Sequence, residues 1–307
     1  MIMNILFLGT GAGVPSKGRN VTSSILQMPD ERGASWMFDC GEATQHQILH
    51  TTVKPKKIEK IFITHMHGDH IFGLPGFLSS RSFQGGEEEL TVYGPVGIKE
   101  YVLSSLRLSM SFVKYPLSFV EFEEDGIIFE DEHCTVTVKK VVHGIPSYGY
   151  RIEEKPKKGR LLVEKLAEEG LKPGPQYKLL KETGRLELED GRVLLGEDYI
   201  SEDVEGKRVA IIGDTRYTEA SIELAANCDL VVHEATFSDA ESKHAHEYFH
   251  STSTQAATIA KNAEAKKLVI THISSRYQGA ESSQLIEEAQ KIFPNTKLAN
   301  DFSVFSI

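Results

Sequence analysis

The stretch "ITHMHGDH" places His65, His67, Asp69 and His70 within six positions, in a chain with only 12 histidines among 307 residues. Imidazole nitrogens with a carboxylate at this density suit zinc and related borderline metals. His65 and His67 stand where an apolar run at 60–64 ends and can aim at one ion, while a turn at Gly68 can bring Asp69 and His70 to a second. One cluster cannot complete two coordination spheres, so further ligands must come from elsewhere. Three residues have the right setting, at or just past the end of an apolar strand: His143 in "KKVVHG", Asp214 in "RVAIIGDT" and His272 in "KLVITHIS". Alone, each reads as a satisfied strand-end residue; beside the cluster, each reads as a ligand. Two ions about 3.5–4 Å apart supply a nucleophile at neutral pH and neutralise an oxyanion. That equipment opens a phosphodiester, but equally a lactam, thioester or lactone. The cluster therefore names the chemistry and not the substrate.

The elements that must hold these residues follow from hydrophobic period. Strand patterns fall at 3–8, 23–28, 35–38, 60–64 and 90–93, with alternating, antiparallel-type runs at 117–122 and 134–142. Helical patterns fall at 44–50, after Gly73, and at 96–108. From 208 onward strand and helix alternate: strands at 208–212, 230–233 and 267–271, helices at 219–226, 252–263 and 282–292. Two β-rich halves with covering helices predict an α/β helix–sheet–sheet–helix sandwich. Between about 153 and 197 the pattern breaks into Pro, Gly and charge, including "KPGP" and a short amphipathic stretch at 161–169. This reads as a projecting arm inserted into one catalytic domain spanning 1–307.

Composition narrows the class further. Hydrophobic content of 40% and charged content of 25% are those of a soluble globular protein. No apolar run approaches the roughly 18 residues needed to span a bilayer, and the first residues lack a basic leader, so no membrane partner is expected. Three widely spaced cysteines, Cys40, Cys134 and Cys228, read as reduced core residues of a cytoplasmic protein. The net charge is −10, yet 155–185 holds nine Lys/Arg against four Glu, a local +5 that leaves −15 elsewhere. "GTGAG" near the start is not a dinucleotide loop, because Val14 replaces the last glycine and Pro15 follows in place of a helix. No nucleotide cofactor is expected.

The His65–His70 cluster with His143, Asp214 and His272 resembles the metallo-β-lactamase superfamily. The resemblance implies an αββα four-layer sandwich with two Zn²⁺ per subunit at one sheet edge. His65, His67 and His143 would hold the first, Asp69, His70 and His272 the second, and Asp214 would bridge them through its two oxygens. The resemblance points to hydrolysis. Of the other histidines, His46, His50, His133, His244 and His246 receive no metal role; His46 and His50 share a helix face but lack a third ligand nearby in sequence.

Within the superfamily, "PSKGRN" (15–20), "HEAT" (233–236), "HST" (250–252), "FLGTGAGVP" and "FDCGEATQHQ" resemble the ribonuclease Z family. Membership would imply a zinc endoribonuclease that removes the 3′ trailer from precursor tRNA, leaving a 3′-hydroxyl on the tRNA and a 5′-phosphate on the trailer. Glu234 would orient His250, which would protonate the departing 3′-oxygen, and Asp69 would orient or deprotonate the attacking water. Lys17, Arg19 and Asn20 would contact phosphate. Lys157, Lys158, Arg160 and Gly174 of the basic arm would grip tRNA, with a homodimer presenting substrate across subunits. Two other classes compete: a small-molecule phosphodiesterase, lactonase or thioesterase, which would not need the arm, and a non-catalytic, metal-stabilised RNA-binding protein.

Overall fold

A computed structural model describes residues 3–28, 33–279 and 281–307. It divides into two compact units. One comprises Met1–Asp131, Thr135–Glu153 and Arg208–Ile307, the other Glu132–Cys134 with Glu154–Lys207.

In the larger unit, β1 (Asn4–Gly9), β2 (Ser23–Gln27), β3 (Ser35–Phe38), β4 (Ile58–Phe62), β5 (Leu90–Pro95) and β6 (Leu117–Phe122) form one sheet. β16 (Val304–Ser306) joins its edge, giving the order β16-β1-β2-β3-β4-β5-β6. The second sheet contains β7 (Gly126–Glu130), β8 (Cys134–Val141), β9 (Ser147–Glu154), β12 (Arg208–Ile212), β13 (Leu230–Glu234), β14 (Leu268–Thr271) and β15 (Thr296–Leu298). Its order is β15-β14-β13-β12-β9-β8-β7.

β3 through β6 run parallel, as do β12 through β15. Parallel strands covered on both faces are apolar nearly throughout, and β13, "LVVHE", is buried along its whole length. The sheets face one another through aromatic rings: Phe62 lies 5.3 Å from Tyr150 and Trp36 5.7 Å from Phe129, centroid to centroid. Outside the first sheet, Leu74, Phe77 and Leu78 of helix Leu74–Phe83 and Ile98, Val102 and Leu106 of helix Ile98–Leu108 join its core. Helices Glu219–Ala225, Ser253–Asn262 and Glu281–Ile292 cover the second. The result is the four-layer sandwich of a metallo-β-lactamase fold.

The layers meet at one edge, where the parallel strands deliver their C-terminal ends, the usual place for a site in such sheets. β4 runs out into Thr64 and His65, and His65 bridges to Ser147 of the opposite sheet. β12 runs out into Gly213 and Asp214. A Cβ on Gly213 would stand 2.7 Å from both Thr64 Cβ and the Tyr148 carbonyl oxygen, so only glycine lets the sheets close here.

The smaller unit contains the expected insert but extends past 197 to Lys207, because Val204 bridges Lys157 and Ile200 bridges Leu161. A helix at Val163–Glu168 lies within the expected 161–169, and a second, Pro175–Thr183, starts on Pro175 at the first turn. The hairpin β10 (Arg185–Glu187) and β11 (Val193–Leu195) follows. Leu166, Leu171, Tyr177, Leu180, Leu186 and Leu194 give this unit its own apolar core. No helix among the described residues is long and apolar enough to cross a membrane.

Candidate metal centre

Seven side chains from four segments, those following β4, β8, β12 and β14, converge. His65 Nε2 and His143 Nε2 lie 3.1 and 3.2 Å from His67 Nδ1. On the other side, His70 Nε2 and His272 Nε2 lie 3.4 Å apart, each 3.4 Å from Asp69 Oδ2. Asp214 Oδ2 sits between the groups, 3.7 Å from His65, 3.5 Å from His70 and 3.3 Å from His272. Those contacts all run to one oxygen of Asp214, whereas the sequence reading shared the bridge between two. Donors held at 2.0–2.1 Å around a tetrahedral ion lie about 3.3 Å from one another. The observed spacings are of that size.

Outer partners fix four of the five rings. Asp39 Oδ2 takes the His70 Nδ1 proton at 2.8 Å, leaving Nε2 to face the centre. Thr64 Oγ1 donates to Asp39 at 2.9 Å and lies 3.0 Å from His65 Nδ1. Thr236 Oγ1 lies 3.0 Å from His272 Nδ1, and His143 Nδ1 donates to the Phe249 carbonyl at 2.9 Å. His272 itself sits at φ 57°, an uncommon backbone state for a residue with a side chain.

The electrostatics call for a cation. Burial works against charge on His70, yet Asp214 and Asp39 raise its pKa well above the ordinary imidazole value. Burial would raise the pKa of Asp214 and of Asp69, but the histidines around them hold both below the usual carboxylate range. Burial pushes His65 well down, so its nitrogen stays an unprotonated donor. Buried carboxylates beside clustered imidazoles form a donor set suited to zinc or a related divalent ion.

Beside this set, Glu234 Oε1 accepts from His250 Nδ1 at 2.9 Å, from Ser251 N at 3.0 Å and from Thr215 N at 3.2 Å. Its other oxygen accepts from Thr236 N and Oγ1. Burial opposes the His250 charge, but Glu234 outweighs it and pushes the pKa up to about 9. His250 Nδ1 is also 3.9 Å from Asp214 Oδ2. The His250 imidazole, its proton favoured by Glu234, thus lies against the metal-capable cluster.

The N-terminal loop reaches the same place. Gly13 N donates to Asp69 Oδ2 at 2.8 Å. The structure gives Arg19 a different task from the phosphate contact expected of it. Its side chain is buried and donates to Thr10 Oγ1, the Ala299 carbonyl and Asn300 Oδ1 at 2.6–2.8 Å. Asp301 completes the clasp by accepting from Thr10 Oγ1, Asn20 N and Gln47 Nε2. Asn20 spends its side-chain amide on the Glu42 carbonyl, while Lys17 is exposed. In the smaller unit Lys157, Lys158, Arg160 and Gly174 are all exposed. His46 and His50 lie 5.0 Å apart, ring to ring, but belong to no metal-capable group among the described residues.

Asp39, Thr64 and Thr236 were missed from sequence. Their one signal is position: Asp39 and Thr64 follow apolar strands, as the ligands do.

Comparison with known proteins agrees with the geometry. The model of the anti-Pycsar protein Apyc1 family matches residues 3–154, and that of a beta-lactamase superfamily domain matches 198–273. Ribonuclease Z of Bacillus cereus (strain G9842) is 58% identical over 305 residues, covering 99% of each chain. Ribonuclease Z of Anoxybacillus flavithermus is 59% identical, over 99% of this chain and 97% of its own. The crystal structure of human tRNase Z, short form, superposes with a TM-score of 0.72 at 30% identity, covering 99% of both chains. With identity of this order running from end to end, the chain belongs to the ribonuclease Z family of the metallo-β-lactamase superfamily.

Proposed function

We propose that the protein is a zinc-dependent endoribonuclease that removes the 3′ trailer from precursor tRNA, leaving a 3′-hydroxyl on the tRNA and a 5′-phosphate on the trailer. The observation that carries this reading is the juxtaposition of two three-donor groups, His65/His67/His143 and Asp69/His70/His272, with Asp214 between them and the Glu234–His250 pair alongside. Two Zn²⁺ ions bound by these residues would supply an activated water and neutralise charge on the phosphate. Asp69, fixed by Gly13 N, His70 and His272, orients the attacking water. His250 holds a proton under the influence of Glu234. With Nδ1 committed to Glu234, its Nε2 delivers that proton to the departing 3′-oxygen, which would otherwise leave as an alkoxide.

The exposed Lys157, Lys158 and Arg160 bind RNA backbone, and Gly174 lies in the same binding segment. Lys17 takes the phosphate contact at the loop. A homodimer is supported by Phe83, Leu108, Met110 and Phe112, which are exposed near one another: Lys114 N donates to Ser82 Oγ at 2.9 Å. Three buried free thiols accord with the cytoplasm as the working compartment.

The test is incubation of zinc-quantified protein with end-labelled precursor tRNA, with and without chelator. Chelator-sensitive cutting on the 3′ side of the acceptor stem is expected. Binding without cutting at full zinc occupancy would instead favour a non-catalytic RNA partner. Neither binding nor cutting would favour a small-molecule hydrolase.

A further inference from the structure

Phe249 adopts φ 59°, a costly conformation for a bulky side chain. Strain of this kind persists only where the surroundings enforce it. Here the state caps the helix Ser242–Glu247, with His250 N donating to the Ala245 carbonyl at 2.8 Å, and Arg216 braces that cap. Its Nε donates to the His246 carbonyl at 2.7 Å, its Nη2 bonds the same oxygen, and its guanidinium stacks 3.8 Å from the Phe249 ring centroid. Arg216 N also donates to the Val142 carbonyl at 2.9 Å, next to His143. The preceding residue does similar work: Thr215 Oγ1 accepts from Val142 N at 3.0 Å and the Thr215 carbonyl accepts from Ser251 Oγ at 2.7 Å.

What the turn carries explains the strain. The Phe249 carbonyl fixes the His143 ring, and the next residue is His250. A relaxed Phe249 would redirect that carbonyl. We propose that Arg216 is a positioning residue: by clasping the 246–249 turn with its fork and capping the Phe249 ring, it orients His143 towards His65 and His67 and sets His250 against Glu234. A guanidinium suits the task because it delivers two parallel donors and a stacking face at once. The inference rests on the reading of His143 as a metal ligand and His250 as proton donor.

The experiment compares Arg216→Ala, Arg216→Lys, Phe249→Ala and Phe249→Tyr with the parent protein. Substrates are precursor tRNA and bis(p-nitrophenyl) phosphate, and zinc release to a chromogenic chelator is followed separately. Arg216→Ala should lower kcat by about tenfold or more on both substrates, with KM within about twofold, and release zinc several-fold faster. Phe249→Ala should behave alike, the double variant should be no worse than the poorer single, and Phe249→Tyr should match the parent. Arg216→Lys should fail to rescue, since it keeps charge without the fork. Rescue by lysine, parent-like values for Arg216→Ala, or a raised KM confined to tRNA would each overturn the proposal; the last would make Arg216 an RNA contact. If Arg216→Ala does not fold, equal activity of Phe249→Ala and Phe249→Tyr overturns it. A parent without chelator-sensitive turnover would refute the nuclease reading itself, and zinc release would still decide the role of Arg216.

Discussion

The metal centre and the inserted unit solve opposite problems. The centre draws its donors from residues up to 207 positions apart, His65 to His272, and most of its rings have a partner that fixes their direction. The insert draws its fold from 54 consecutive residues, Glu154–Lys207, and keeps Lys157, Lys158 and Arg160 exposed. Chemistry at a phosphate requires groups fixed within fractions of an ångström, which only a packed scaffold provides. Capture of a long polyanion requires exposed charge over a broad surface, and exact placement adds little to it. The two regions should therefore fail in different ways when altered.

The sharpest contrast is Asp214→Ala. It removes the oxygen common to both ligand groups, so turnover should fall by at least about a thousandfold on any phosphodiester, with loss of bound zinc. Near-normal activity together with full zinc by metal analysis would break the assignment. His250→Ala should keep its zinc and slow cleavage by about a hundredfold, since only a proton donor is lost. Zinc loss in that variant would make His250 a ligand. Asp301→Ala removes an acceptor of three hydrogen bonds in the loop clasp and should cost about 2–4 kcal/mol of stability by denaturant titration. It should also lower kcat about tenfold through Gly13 and Asp69; unaltered kcat would detach the loop from the centre. The mildest effect belongs to the insert. Replacing Lys157, Lys158 and Arg160 by alanine should raise KM for precursor tRNA about tenfold and flatten its salt dependence, while sparing a small phosphodiester. Equal damage to both substrates would show that the insert supports the scaffold.

The same contrast explains what the sequence disclosed. His65, His143, Asp214 and His272 stand at or just beyond the ends of strands, and that position, read beside the 65–70 cluster, made them candidates. The strands β4, β12 and β14 were legible as apolar runs. β9 was not: Gly149 interrupts "SYGYRI", and its strand state comes from pairing with β12 on a surface where a Cβ would stand 2.6 Å from Leu224. β16 is three residues long and gains its state from β1. Arg19 looked like a surface cation because its partners, Ala299 and Asn300, lie 280 and 281 positions downstream. Asp39 and Thr236 were hidden likewise: tertiary geometry selects such hydrogen-bond partners, and local sequence does not record that choice.

The pairing of β1 with β16, and of the Thr10–Asn20 loop with Asp301, also has a consequence in time. A ribosome adding roughly 5–20 residues per second needs about 10–40 s to pass from His70 to His272, 202 positions later. Until then the nascent chain holds His65, His67, Asp69 and His70 without His272, and its N-terminal loop waits for a clasp made later still. An unfinished polypeptide is therefore an inactive one. On the proposed ligand set, the cutting centre does not exist until His272 has been made.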